Sequence, residues 1–212
     1  MKKILFIILS VFIMPYTFSQ EEINTRFKDR KQEGYFNTTQ IGMLIGNRPI
    51  NNNNPNYYNA RTEVFSSVTM THGRFDEYWA TGIGTGFEVF DRNLFPLFAD
   101  FRYTLRDNDI SPFFALKIGY AFGGEKKHYN NLTTNHEPYY LSNAYYKKGG
   151  GFMLNPEMGV KFPLSEKADL LFTVAYRYQK TKSTASEKYG HREWEYIESL
   201  NRLSFGAAIM FR

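Results

Sequence analysis

Cysteine is absent from all 212 residues, which excludes disulfides, thiolate metal sites and a lipid-modified N-terminal cysteine together. Long apolar runs are almost as scarce. The main one, Ile4 to Met14, is about half the ~20 residues that a helix needs to span a bilayer. Any membrane crossing would therefore have to be made by strands. An excess of one charge is lacking too: 26 Lys and Arg stand against 21 Asp and Glu, a net +5, too mild a balance to argue for nucleic acid. The histidines, His72, His128, His136 and His191, do not sit in strand interiors beside a serine and an acid, and they lack metal-ligand spacing. A hydrolytic triad or zinc site has little to build on, so no catalytic, cofactor or metal residue is assigned.

What is present begins with Lys2 and Lys3, followed by the apolar run, Pro15 and the segment Thr17-Phe18-Ser19. This is the layout of a secretory signal peptide. Residues 1–19 are expected to be removed, 20–34 to form a polar extension and 35–212 to form one domain. Aromatic residues make up 18% of the chain, with twenty Phe and sixteen Tyr, more than a core of this size needs.

From Tyr35 onward the period is two, as in half-buried strands. Phe114, Leu116, Ile118, Tyr120 and Phe122 alternate with Ala115, Lys117, Gly119 and Ala121. The same alternation runs through Leu97–Leu105, Phe152–Phe162, Leu170–Gln179 and Leu203–Phe211. Weaker versions occupy Tyr35–Gly46, Thr62–Thr71 and Trp79–Phe90. These make about eight strands of the 9–11 residues that a tilted strand needs to cross a bilayer. Connections are short at His72–Glu77, Arg106–Ser111 and Pro163–Lys167, and long at Asn47–Arg61, Gly124–Gly149 and Lys180–Glu198. Such alternation fits short periplasmic turns and long outer loops, although the connection near Asp91 to Asn93 is short where a long one is expected.

Glycine and charge decide which parity faces inward. One parity holds Gly42, Gly82, Gly84, Gly86, Gly119, Gly159 and Gly206, with Gln40 and the charged residues Glu88, Asp100, Arg102, Lys117, Glu157, Lys161 and Arg177. A narrow lumen accepts small residues and polar groups that satisfy one another, whereas the bulky parity would not fit inside it. The charged set is expected to pair and plug the lumen. Aromatics near strand ends, Tyr35, Trp79, Tyr103, Phe113, Phe162 and Phe211 at one end and Phe90, Phe95, Tyr120, Phe122, Phe152 and Tyr178 at the other, are expected to form two girdles. Pro96 and Pro156 oppose the reading locally, because each removes a ladder donor.

The segments GYFNTTQIG, FPLFADFRY, SPFFALKIGYAF, FMLNPEMGVKF and the terminal FGAAIMFR resemble the small outer-membrane β-barrel proteins of Bacteroidota, also called outer membrane beta-barrel or porin-family domain proteins. The resemblance covers Tyr35 to Arg212. It implies an all-β, eight-stranded antiparallel up-and-down transmembrane β-barrel in a bacterial outer membrane, reached through the periplasm. The terminal segment resembles the signal read by barrel-assembly machinery, with Phe211 penultimate rather than last. Expected partners are outer-membrane lipid and that machinery. For the 124–149 loop, Lys126, Lys127, Tyr139, Tyr140, Tyr145, Tyr146, Lys147 and Lys148 form a candidate surface for extracellular glycan or lipopolysaccharide. The expected role is structural or interactive; the alternatives are a narrow channel, a lipid A-modifying enzyme and a soluble ligand-binding barrel.

Overall fold

The computed structural model describes residues 33–47, 62–89, 93–105, 110–123, 126–133, 140–187 and 193–212. The expected signal peptide, nearly all of the polar extension and Phe90 lie outside the described residues. The strands are β1 (Gly34–Asn47), β2 (Thr62–Phe75), β3 (Trp79–Val89), β4 (Asn93–Thr104), β5 (Ser111–Gly123), β6 (Lys126–Thr133), β7 (Tyr140–Lys148), β8 (Gly151–Ser165), β9 (Ala168–Glu187) and β10 (Glu193–Phe211).

Eight of these close into an antiparallel barrel in the order β1-β2-β3-β4-β5-β8-β9-β10, with β10 pairing back onto β1. The expected fold class is the one found. Following register partners once around, Gly34 leads through Phe75, Ala80, Arg102, Ala115, Glu157, Ala175 and Ser204 to Leu44. The circuit therefore returns ten residues further along β1 than it began, from Gly34 to Leu44. With ordinary strand spacing and rise, eight strands and this stagger fix a tilt of about 40° and a backbone radius of about 8 Å. About ten residues at that tilt cover roughly 25 Å along the barrel axis.

The alternation places the two parities as expected. Ile41, Ile83, Phe114 and Ile209 point outward and are exposed, while Gln40, Glu88, Asp100, Lys117 and Glu157 are buried inside. Aromatic pairs stand on the exterior toward both ends, including Trp79 with Tyr103 at 4.7 Å and Phe87 with Phe95 at 5.3 Å between ring centroids. Phe113 is a correction to the expected girdle. It is 2% exposed and faces the lumen, packed with Phe36 and Phe75. Its neighbour Phe114 takes the outward position, because Phe113 shares the parity of Ala115 and Lys117.

Several connections also differ from expectation. The strand expected to end at Thr71 continues to Phe75, leaving a tighter turn before Trp79. The long connection 124–149 carries the β6–β7 hairpin, and β7 pairs with the far end of β9. The expected loop 180–198 is largely continued strand, since β9 and β10 pair from Ala168↔Phe211 to Ser186↔Glu193. The barrel wall thus extends past one rim, and an exposed Lys182–Glu195 pair at 2.6 Å bridges this extension. The prolines are accommodated by local lapses in pairing. The β3–β4 ladder skips from Thr85↔Leu97 to Glu88↔Leu94 around Pro96, and the Thr85 hydroxyl donates to the Pro96 carbonyl at 3.1 Å. The β8–β9 ladder lapses likewise around Pro156.

Glycines make room for the one aromatic ring placed at mid-lumen on β4. Phe98 faces Gly84 on one side and Gly119 on the other, and a Cβ on Gly84 would collide with the Phe98 ring. Gly84→Val is expected to displace that ring and cost about 1–3 kcal/mol, read as a lower urea midpoint for unfolding.

Candidate functional site in the barrel lumen

A radius this small leaves room for side chains that meet across the axis. The lumen is layered along its length. At mid-depth, Lys117 on β5 donates from Nζ to Glu157 Oε2 on β8 at 2.9 Å and to Gln40 Oε1 on β1 at 2.5 Å. Gln40 Nε2 in turn donates to Thr173 Oγ1 on β9 at 3.0 Å. Four strands are tied together through one lysine and one glutamine. Beside them Arg102 donates from Nε and Nη2 to Asp100 on the same strand, the shortest contact being 2.7 Å. Asp100 is also the register partner of Lys117. These charges are at most 4% exposed, a state that buried ions tolerate only when paired and hydrogen-bonded.

Toward the extended rim, Arg177 on β9 reaches Glu88 on β3 across the lumen at 2.5 Å. Gln179 and Thr181 lie on the same inward face of β9, fully buried, and their side-chain polar atoms meet no hydrogen-bond partner among the described residues. Polar groups so placed are ordinarily satisfied by enclosed water. At the short-turn end, Arg212 donates from Nε to Asp169 at 2.8 Å. Lys161 is buried there and lines a small recess with Arg102 and Arg212.

Apolar clusters lie toward both ends. Phe36, Phe75, Phe113, Leu171 and Met210 cluster at the short-turn end, and Leu44, Leu94 and Leu200, with Phe65 against them, cluster at the other. Cations bridge these clusters to the charged column. Arg212 lies 4.9 Å over the Phe75 ring, Arg202 4.9 Å over Phe65, and Lys117 5.8 Å over Phe98. Each such contact offsets part of the cost of burying the ion.

All seven charged residues expected in the lumen are buried inside it. The structure brings Asp100 with Arg102 and Lys117 with Glu157, but places Arg177 apart from these, against Glu88. Asp169, Arg202 and Arg212 were missed. Each continues an inward parity already recognised, one or two residues beyond the assumed strand end, so extending the alternation would have found them. Of the loop candidates, Lys126 and Lys127 fall on β6, and Tyr140, Tyr145, Tyr146, Lys147 and Lys148 fall on β7. The backbone register sets Lys126 opposite Lys147 and Lys127 opposite Tyr146. Tyr139 lies outside the described residues.

No protein-family model matches the chain, and no curated protein matches its sequence. Solved structures that share its architecture include two outer-membrane barrels. Neisserial surface protein A (NspA) aligns with a TM-score of 0.52 at 10% identity, over 84% of this chain and 98% of that one. The outer membrane protein OprG from Pseudomonas aeruginosa aligns with a TM-score of 0.51 at 10% identity, over 90% and 98%. Likeness at such low identity carries the barrel fold and nothing about activity.

Lys117→Met removes the shared donor and leaves the Glu157 carboxylate buried without its cation. A loss of about 3–5 kcal/mol is expected in equilibrium unfolding. The double variant Lys117→Met/Glu157→Met removes both charges and is expected to recover most of that loss.

Proposed function

We propose that this chain is an integral protein of a bacterial outer membrane, with an occluded lumen and a structural or surface-interaction role rather than a catalytic one. The observation that carries the reading is the closed barrel whose outward parity is predominantly apolar and aromatic, on strands that cover about 25 Å along the axis, the height of the apolar band of such barrels. A soluble barrel would keep that parity inside. With the belt in hydrocarbon, the short turns face the periplasm and the β6–β7 and β9–β10 hairpins face outward. Export by the 1–19 signal peptide, insertion by barrel-assembly machinery and an origin in Bacteroidota belong to the same reading.

The filling of the lumen supports occlusion: among the described residues, ion pairs stand at mid-depth and apolar clusters toward both ends. For catalysis the lumen offers acids already engaged by Lys or Arg, and His72 stands outside the barrel with Tyr35 and Asn37. The outward β6–β7 hairpin, bearing Lys126, Lys127, Tyr140, Tyr145, Tyr146, Lys147 and Lys148 on paired strands, is the working surface, and extracellular glycan or lipopolysaccharide is the class of partner its chemistry fits.

In detergent, the unboiled protein is expected to migrate differently from the boiled form, because a closed barrel resists unfolding until heated. Planar bilayers containing it are expected to stay electrically silent. Identical migration before and after heating would rule out the closed membrane barrel, and stepwise conductance would replace the occluded lumen with a channel.

A further inference from the structure

The exterior belt is uneven. On β4, β8, β9 and β10 the outward positions next to the short turns are Phe101, Tyr103, Phe162, Phe172, Ile209 and Phe211. On β1, β2 and β3 the corresponding level carries, next to Trp79 at the edge of β3, Tyr35, Asn37, His72, Arg74 and Thr81, all at least partly exposed. The register sets Arg74 between Tyr35 and Thr81, and sets His72 beside Asn37. The Asn37 amide nitrogen stands within hydrogen-bond distance of the His72 ring, 2.9 Å from Nδ1 and 3.1 Å from Nε2, of which one accepts, and the Tyr35 hydroxyl is hydrogen-bonded to Nδ1. Polar groups facing hydrocarbon are costly unless they are partnered. Tyr35, Asn37 and His72 partner one another, whereas Arg74 has no ion-pair or hydrogen-bond partner among the described residues.

Read along β2 from the turn, the outward side chains are a cation, a hydrogen-bonding group and then apolar groups: Arg74, His72, Met70 and Val68. Each two-residue step advances about 5 Å along the barrel axis at the tilt derived above. A glycerophospholipid presents phosphate, ester carbonyls and acyl chain in that order and at similar depths. We propose that this notch binds one glycerophospholipid, an inference that rests on the membrane reading above. The Arg74 guanidinium takes the phosphate through paired N–H donors, with the Tyr35 hydroxyl beside it. Asn37 and His72 meet the ester level. An acyl chain lies along Met70 and Val68, with Ile41 and Phe87, the register partners of Val68, as its walls. Charge favours a lipid over a second copy here, because a two-fold contact would set Arg74 against its own counterpart.

The test inserts the full chain into vesicles of phosphatidylglycerol and phosphatidylcholine, extracts it in mild detergent and weighs the intact complex by native mass spectrometry. One phospholipid is expected to remain per barrel, phosphatidylglycerol ahead of phosphatidylcholine. Arg74→Gln is expected to lower that retained fraction roughly tenfold, the loss of about one charge-assisted contact. Asn37→Val/His72→Val is expected to lower it as well, while Lys167→Gln, at a different turn, leaves it unchanged. Insertion is judged separately by heat-dependent migration. A chain that never inserts overturns the membrane reading and the lipid site together. An inserted barrel that retains lipid equally with and without Arg74, or that appears as a lipid-free dimer, overturns the lipid site alone.

Discussion

Closure of eight strands with a stagger of ten residues, from Gly34 to Leu44 around one circuit, is the constraint on which the rest of this protein depends. It holds the backbone on a cylinder of about 8 Å radius. Side chains from opposite walls must then touch, so the interior is a packed column. An inward residue has to be small, or apolar against another apolar group, or polar with a side-chain partner or enclosed water within reach. The glycines flanking Phe98 and the Lys117–Gln40–Glu157 junction are two solutions to one volume problem.

The same geometry explains the division of the lumen. The Lys117–Glu157 and Arg102–Asp100 pairs occupy the middle, where several strands supply partners at hydrogen-bond distance, while toward the ends the charges, such as Arg212 with Asp169, stand among apolar clusters. The low local dielectric strengthens each pair and raises the cost of breaking it. Arg202 and Arg212 sit at the junctions, with guanidinium faces against Phe65 and Phe75. The apolar clusters and the charged column are in contact through these rings. On the outside no such mutual filling exists, so the exterior has to match its surroundings residue by residue, and the polar notch on β1 to β3 stands out for that reason.

Much of this was legible in the alternation of residue types. The inward set from Gln40 to Arg177 follows from parity, because a strand turns successive side chains to opposite faces whatever its neighbours are. Phe113 was misplaced because its aromatic character was weighed above its parity with Lys117. The hairpins at 124–149 and 180–198 were read as loops because their polar composition carries no half-buried signature. Their strands continue the sheet past the rim through backbone pairing, a contact that residue type does not announce.

The sequence by itself determined the strand period, the face each residue takes and the small or charged character of the interior, since these depend on local geometry and on volume. Tertiary structure alone decided which charges meet. Glu88 and Arg177 lie on β3 and β9, and Gln40 reaches Thr173 over Gly206 of the intervening β10, and Glu157 one strand further on. Such partners are set by the stagger at closure and the resulting tilt, which move each strand up or down against those across the axis. That displacement belongs to the whole ring of strands and is written in no single one of them.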